Sequence, residues 1–175
     1  MVLTVVAAAL KNNKGEVLIQ RRPVHKHNGG LWEFPGGKVE LRETPEIALS
    51  RELKEELDID VNINFMKPCG FVTHSKYNGQ SCVSNPKPSK NIDGDSIILL
   101  LLYEIEHWNG SISPQEGQPC AWVNQQTILD YALTTADIPL ISNIWNKQPK
   151  QNPQFIIMGS HFVSRANVMI DNHFN

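Results

Sequence analysis

The sequence predicts a fold of mixed strands and helices, α/β or α+β, and three observations carry that prediction. Residues 97–102 (Ile-Ile-Leu-Leu-Leu-Leu) form a six-residue apolar run, the length and composition of a buried strand. Residues 45–57 carry a helical pattern uninterrupted by Gly or further Pro after Pro45. Residues 2–10 and 16–21 are apolar runs separated by Asn12-Asn13-Lys14-Gly15, a hairpin turn sequence.

The remaining elements follow in chain order. His25 to Gly30 is a polar loop, and 32–34 is a short strand leading into a Gly36-Gly37 turn. Residues 61–73 hold one or two strands, broken near Pro68. Residues 97–106 form a central strand and 121–123 a shorter one. Residues 125–131 and 138–145 read as helices, the second burying Leu140, Ile141, Ile144 and Trp145. Residues 74–96, rich in Ser, Asn, Gly, Pro and Lys, read as a loop insertion. Residues 148–154 read as a linker, and 155–158 and 161–170 as two late strands. The extension 149–175 receives no function, and the whole of 1–175 is expected to be one domain.

Composition narrows the function classes. The chain has 175 residues, 41% of them hydrophobic and 19% charged, which is ordinary for a globular enzyme. Its net charge of −2 argues against binding a nucleic-acid polymer. Cys69, Cys82 and Cys120 are odd in number and widely spaced, so neither a disulfide framework nor a zinc site is expected. The six histidines form no metal pattern. Residues 2–10 are too short to span a bilayer and lack a basic leader, so a cytoplasmic location and no membrane partner are expected.

The most informative segment is the helix at 45–57. Thr44 is a good N-cap, Pro45 suits the first helical position, and Glu46 complements the helix dipole. Glu52, Glu55 and Glu56 fall on one arc at i, i+3 and i+4, beside an apolar stripe of Leu49, Leu53 and Leu57. Carboxylates gathered on one patch repel one another unless a cation sits among them, and hard divalent cations prefer such oxygen donors. A solvated acidic face accounts for Glu55-Glu56 alone. It leaves the Gly36-Gly37 turn, the Thr-Pro cap and Arg51 unexplained.

The spacing Gly37, Glu43, Arg51, Glu52, Leu53, Glu55, Glu56, Ile59 resembles the Nudix hydrolase signature, G-x5-E-x7-R-E-U-x-E-E-x-G-U with U aliphatic. Its one departure is Asp58, where the family has a Gly that ends the helix at positive φ; Asp tolerates that conformation better than most residues. Leu31-Trp32-Glu33-Phe34-Pro35-Gly36-Gly37-Lys38 is similar to the segment entering this box in MutT-type enzymes. Glu116-Gly117-Gln118-Pro119 is similar to their loop with an additional metal-binding carboxylate. Ala136-Asp137-Ile138-Pro139-Leu140 resembles the base-recognition segment of MutT-type enzymes and of cytidine triphosphate pyrophosphohydrolases. The resemblance covers roughly residues 5–145 and implies a Nudix α/β/α sandwich with a mixed central sheet.

It also implies a site. The carbonyl of Gly36 and the side chains of Glu52, Glu55, Glu56 and Glu116 would hold magnesium or manganese, with Glu52 also the general base and Arg51 orienting the glutamates. Arg22 and Lys38 would lie near the phosphates, and Phe34 would stack on or pack beside the base. Asp137 has two readings: a base-reading acceptor, or a helix N-cap before Ile138-Pro139. The substrate is a small-molecule nucleoside triphosphate, cleaved to monophosphate and pyrophosphate, with 8-oxo-dGTP as the expected one. The alternative is CTP, dCTP or 5-substituted dCTP. A non-catalytic nucleotide-binding module is disfavoured because every box glutamate is retained. The oligomeric state is left open.

Overall fold

Strand β1 (Val2–Leu10) is the spine of the molecule. In this computed structural model, which describes residues 2–26, 28–75 and 97–145, β1 pairs in parallel with the apolar run at 97–105 over nine residues, from Val2 opposite Ile97 to Leu10 opposite Ile105. The other strands are β2 (Val17–Arg21), β3 (Trp32–Glu33), β4 (Gly36–Lys38), β5 (Lys67–Ser75), β6 (Ile97–Ile105) and β7 (Cys120–Val123). They form a four-stranded mixed sheet in the order β4-β1-β6-β5 and a three-stranded antiparallel sheet in the order β3-β2-β7.

Alternation along β1 divides the core. Val6, Ala8 and Leu10 face helix α1 (Pro45–Leu57), whose Ala48, Leu49, Leu53 and Leu57 are fully buried. Ala7 and Ala9 face the opposite side, packed with Ile128, Leu133, Leu140 and Ile144. This two-sided burial is the expected sandwich. Each buried leucine of the α1 stripe contributes roughly 1.5–3 kcal/mol of transfer free energy.

Helix α1 begins and ends as its residues dictate. The Thr44 Oγ1 accepts from the Ile47 N–H at 3.3 Å, and Pro45 opens the first turn. Asp58 adopts the left-handed conformation (φ 54°, ψ 35°), and its N–H donates to the Lys54 carbonyl at 3.1 Å. Lys54 Nζ lies 2.8 Å from the Asp58 carboxylate, so the Gly-to-Asp departure is accommodated by a C-cap and an ion pair.

Several expectations are corrected. Gly36-Gly37 is not a turn but part of β4, paired antiparallel with β1 through Val6 opposite Gly37 and Ala7 opposite Gly36. Gly36 sits at φ 144°, and a Cβ there would lie 2.2 Å from the Val6 carbonyl oxygen, so close strand pairing requires glycine. The helix expected at 125–131 is a single 3-10 turn, Thr127–Asp130. The helix expected at 138–145 is a 3-10 turn, Ile138–Leu140, leading into the short α2 (Ile141–Trp145). At 61–73 a 3-10 turn (Ile63–Phe65) precedes β5, whose register shifts between Pro68 and Gly70, where a break was expected. His74 and Ser75 belong to β5. The rest of the insertion, the linker, the late strands and the whole of the extension lie outside the described residues.

The two-sided core makes a stability prediction. Leu53→Ala should cost roughly 2–5 kcal/mol, whereas Leu41→Ala, at a side chain 89% exposed, should stay within about 0.5 kcal/mol. Urea unfolding of both variants measures this, and equal costs would contradict the assigned burial.

Candidate active site

The acidic face of α1 meets β4 at van der Waals distance. A Cβ on Gly37 would lie 2.2 Å from the Glu52 carboxyl, so only glycine leaves room for that side chain. Arg51 then secures the contact with every N–H it has. Its Nε and Nη2 donate to the two oxygens of Glu43 at 2.8 and 3.0 Å. Its Nη1 donates to Glu52 Oε1 at 3.0 Å and to Glu55 Oε2 at 3.2 Å, and Nη2 also reaches the Lys38 carbonyl at 3.1 Å. Glu43 and Glu52 hold the guanidinium firmly in its charged form, and Arg51 in turn keeps Glu43 below the usual carboxylate range.

A cavity of about 460 Å³ opens beside this contact. Of the residues expected to act, Gly36, Glu52, Glu56, Glu116, Arg22, Phe34, Lys38 and Asp137 all line it. Glu55 and Arg51 do not. The Glu55 side chain is 59% exposed and turned toward Arg51. Phe34 is 3% exposed and belongs to the core as well as to the cavity wall.

Glu52, Glu56 and Glu116 bring carboxylate oxygens to the cavity lining. Glu56 Oε2 accepts from Gln20 Nε2 at 2.8 Å and from the Gly36 N–H at 3.1 Å. Burial pushes the Glu56 carboxyl up to about 7, although both hydrogen bonds pull it back; the charges of Glu33 and Glu52 add to the rise. Glu116 comes from the loop at 114–118 and meets Lys26 Nζ at 2.8 and 2.7 Å across the cavity mouth. Among the described residues no three Asp, Glu, His or Cys side chains stand as a ready-made metal cage. The donor chemistry nevertheless fits a hard divalent cation: Glu52, Glu56 and Glu116 line the cavity with Gly36, and no Cys or His is among its lining residues.

Two further carboxyls, the buried Asp137 and the partly buried Glu33, line the same cavity. Asp137 is 3% exposed, and its Oδ2 accepts from Thr134 Oγ1 at 2.8 Å. It makes no side-chain cap to the following turn, so the N-cap reading is not realised. Burial raises its carboxyl to about 6, against hydrogen bonds from Thr134 and the Phe34 N–H and the nearby Arg22. Glu33 is ion-paired with Arg22. Burial still raises Glu33 to about 7, with the Asp137 charge adding to it. The apolar part of the cavity lining includes Leu3, Val5, Ala7, Ile98, Leu100 and Ala136.

Sequence reasoning missed Gln20, Lys26, Glu33, Gln118 and Thr134 as site residues. Glu33 had a faint signal, an acid between two aromatics in a short strand. Gln118 lay within the loop segment similar to MutT-type enzymes but was given no role, and Gln20 had no signal, because an amide after an apolar run reads as the solvent edge of a strand.

Comparison with known proteins shows the family. The NUDIX domain family model matches residues 1–144. The CTP pyrophosphohydrolase of Escherichia coli (strain K12) is 33% identical over 136 residues, 78% of this chain and 87% of that one. The 8-oxo-dGTP diphosphatase of the same organism is 30% identical over 142 residues, 81% of this chain and 95% of that one. The solution structure of the E. coli ORF135 protein aligns with a TM-score of 0.60 at 31% identity, covering 81% of this chain and 87% of that one. With an unbroken acidic helix locked to a Gly-Gly strand and a family match over most of its length, the chain belongs to the Nudix family and is a pyrophosphohydrolase.

Proposed function

We propose that this chain hydrolyses 8-oxo-dGTP to the monophosphate and pyrophosphate, clearing an oxidised precursor from the nucleotide pool. The observation that carries the choice of base is the pair of carboxyls lining the cavity beside Phe34, the buried Asp137 and the partly buried Glu33. Carboxyls supply more acceptors than donors. Oxidised guanine presents N–H groups at N1, N2 and N7, whereas cytosine presents only its N4 amine. With Asp137 raised to about 6 and Glu33 to about 7, one carboxyl of the two can hold a proton near neutral pH and donate to a base carbonyl. Thr134 keeps Asp137 in place, and Arg22 keeps Glu33 in place. Phe34 walls the base.

Nudix enzymes need a divalent cation. In this reading it is magnesium or manganese, held by Glu52, Glu56, Glu116 and the Gly36 carbonyl, where it neutralises phosphate charge and lowers the pKa of bound water. Glu52 is the general base, its carboxylate immobilised by Arg51 on one side and Gly37 on the other. Glu55 adds negative charge through Arg51 without entering the cavity. Lys38 and Lys26, both lining the cavity, offer their ammonium groups to the phosphates.

A second reading, a pyrophosphohydrolase of cytosine triphosphates, is favoured by the 33% identity to the CTP enzyme. There an ionised carboxyl would accept from N4 and a protonated one would donate to N3.

Two measurements test the proposal. First, kcat/KM for pyrophosphate release across 8-oxo-dGTP, dGTP, dCTP and CTP should be highest for 8-oxo-dGTP; a preference for the cytosine nucleotides moves the chain to the second reading. Glu52→Gln should lower kcat by roughly 10²–10⁴-fold, and undiminished turnover would remove Glu52 as base. Second, Asp137 should reveal its burial in the pH dependence of stability. Its folded pKa of about 6 lies above the ordinary aspartate value of 3.8, so the native state binds the proton more tightly and loses stability as pH rises from about 4 to about 6. Asp137→Asn lacks this loss, and should gain roughly 2–3 kcal/mol relative to the parent between pH 4 and pH 7. Equal pH profiles in urea unfolding would contradict the assigned burial.

A further inference from the structure

Gln20 is an amide buried to 3% exposure on β2, and Gln118, in the loop that carries Glu116, is buried to 6%. Their hydrogen bonds run in one direction. The Glu116 N–H donates to Gln118 Oε1 at 2.9 Å. Gln118 Nε2 donates to Gln20 Oε1 at 3.3 Å and to the Glu56 carbonyl at 3.1 Å. Gln20 Nε2 donates to Glu56 Oε2 at 2.8 Å. The order cannot be reversed locally: turning the Gln20 amide would set its oxygen against a carboxylate and its NH₂ against the NH₂ of Gln118. The relay thus joins the Glu56 carboxylate on α1 to the backbone N–H of Glu116, in the loop that carries the Glu116 side chain to the cavity.

The relay also divides the Glu56 carboxyl. Oε2 takes both neutral donors, Gln20 Nε2 and the Gly36 N–H, and no hydrogen bond reaches Oε1 among the described residues. One oxygen is committed to orientation and the other is left for a cation.

We infer that Gln20 is a positioning residue, which fixes Glu56 for single-oxygen binding of the divalent cation and, through Gln118, couples that carboxylate to the Glu116 loop. This rests on the reading of Glu56 as a cation ligand. Hydrogen-bonded partners of metal ligands commonly alter affinity or activity by roughly 10–100-fold. A residue that merely filled space would leave metal affinity unchanged when replaced by an isostere.

The test is a titration of the nucleotide-free enzyme with Mn²⁺, reading free Mn²⁺ by electron paramagnetic resonance. Gln20→Met keeps the length of the side chain and removes the donor. It should weaken Mn²⁺ binding by roughly tenfold or more, with kcat recovering toward the parent as metal is raised and the KM for nucleotide at saturating metal staying near the parent's. If Gln20→Met does not fold, Gln20→Asn serves instead, because it retains an amide but draws it back by one methylene; it should shift affinity in the same direction by less. Glu56→Gln is titrated beside them. Weak binding by Glu56→Gln with parental binding by the folded Gln20 variants would overturn the positioning role. Parental binding by Glu56→Gln would overturn the ligand reading itself, and the inference with it.

Discussion

One guanidinium holds the acidic helix to the strand in front of it, and the rest of the site depends on that contact. Arg51 spends all five of its N–H donors on Glu43, Glu52, Glu55 and the Lys38 carbonyl. Three of these partners carry negative charge, so the cation offsets repulsion that would otherwise splay the helix face. The fourth partner is backbone of β4, which ties the side-chain cluster to the sheet. The geometry works only because position 37 has no side chain, since the Glu52 carboxyl fills the place of a Cβ there. Helix, strand and glycine form one unit, and removing any part releases the others.

The cavity beyond this unit is electrostatically uneven. Glu52, Glu56 and Glu116 line it together with Lys26 and Lys38. Glu33 and Asp137 line it with Arg22, which is ion-paired to Glu33. Burial raises Glu33, Glu56 and Asp137 toward neutrality, because charge is poorly solvated there. The first three carboxylates suit a hard cation, and the second pair suits a base rich in N–H donors. Leu3, Val5, Ala7, Ile98 and Leu100, from the paired strands β1 and β6, give the same cavity its apolar wall.

How much of this the sequence disclosed depended on whether a signal was local. The α1 helix was legible almost residue by residue, because its cap, its proline, its leucine stripe and its acidic arc all lie within one short segment. Asp58 was legible too, since positive φ is a property of the residue and its immediate neighbours. Gly36-Gly37 was misread as a turn because two glycines together usually mark one, and only pairing with β1, some thirty residues earlier, shows that they form a strand. The helix expected at 125–131 shrank to one 3-10 turn because burial of Ile128, not amphipathic periodicity, organises it. Gln20 was invisible as a site residue, and Glu33 nearly so, because depth in a cavity comes from strands far apart in the chain. Asp137 was ambiguous between a cap and a pocket acid until the Thr134 hydroxyl was seen to hold it.

The central claim is that one cavity holds a cation at Glu52, Glu56 and Gly36 and a base at Glu33 and Asp137. The most direct measurement is a crystal structure with Mn²⁺ and a non-hydrolysable 8-oxo-dGTP analogue, with manganese located by its anomalous signal. The account predicts a manganese peak within bonding distance of Glu52, Glu56 and the Gly36 carbonyl, and the base seated against Glu33 and Asp137. Manganese away from those carboxylates, or a base that leaves both Glu33 and Asp137 untouched, would contradict it.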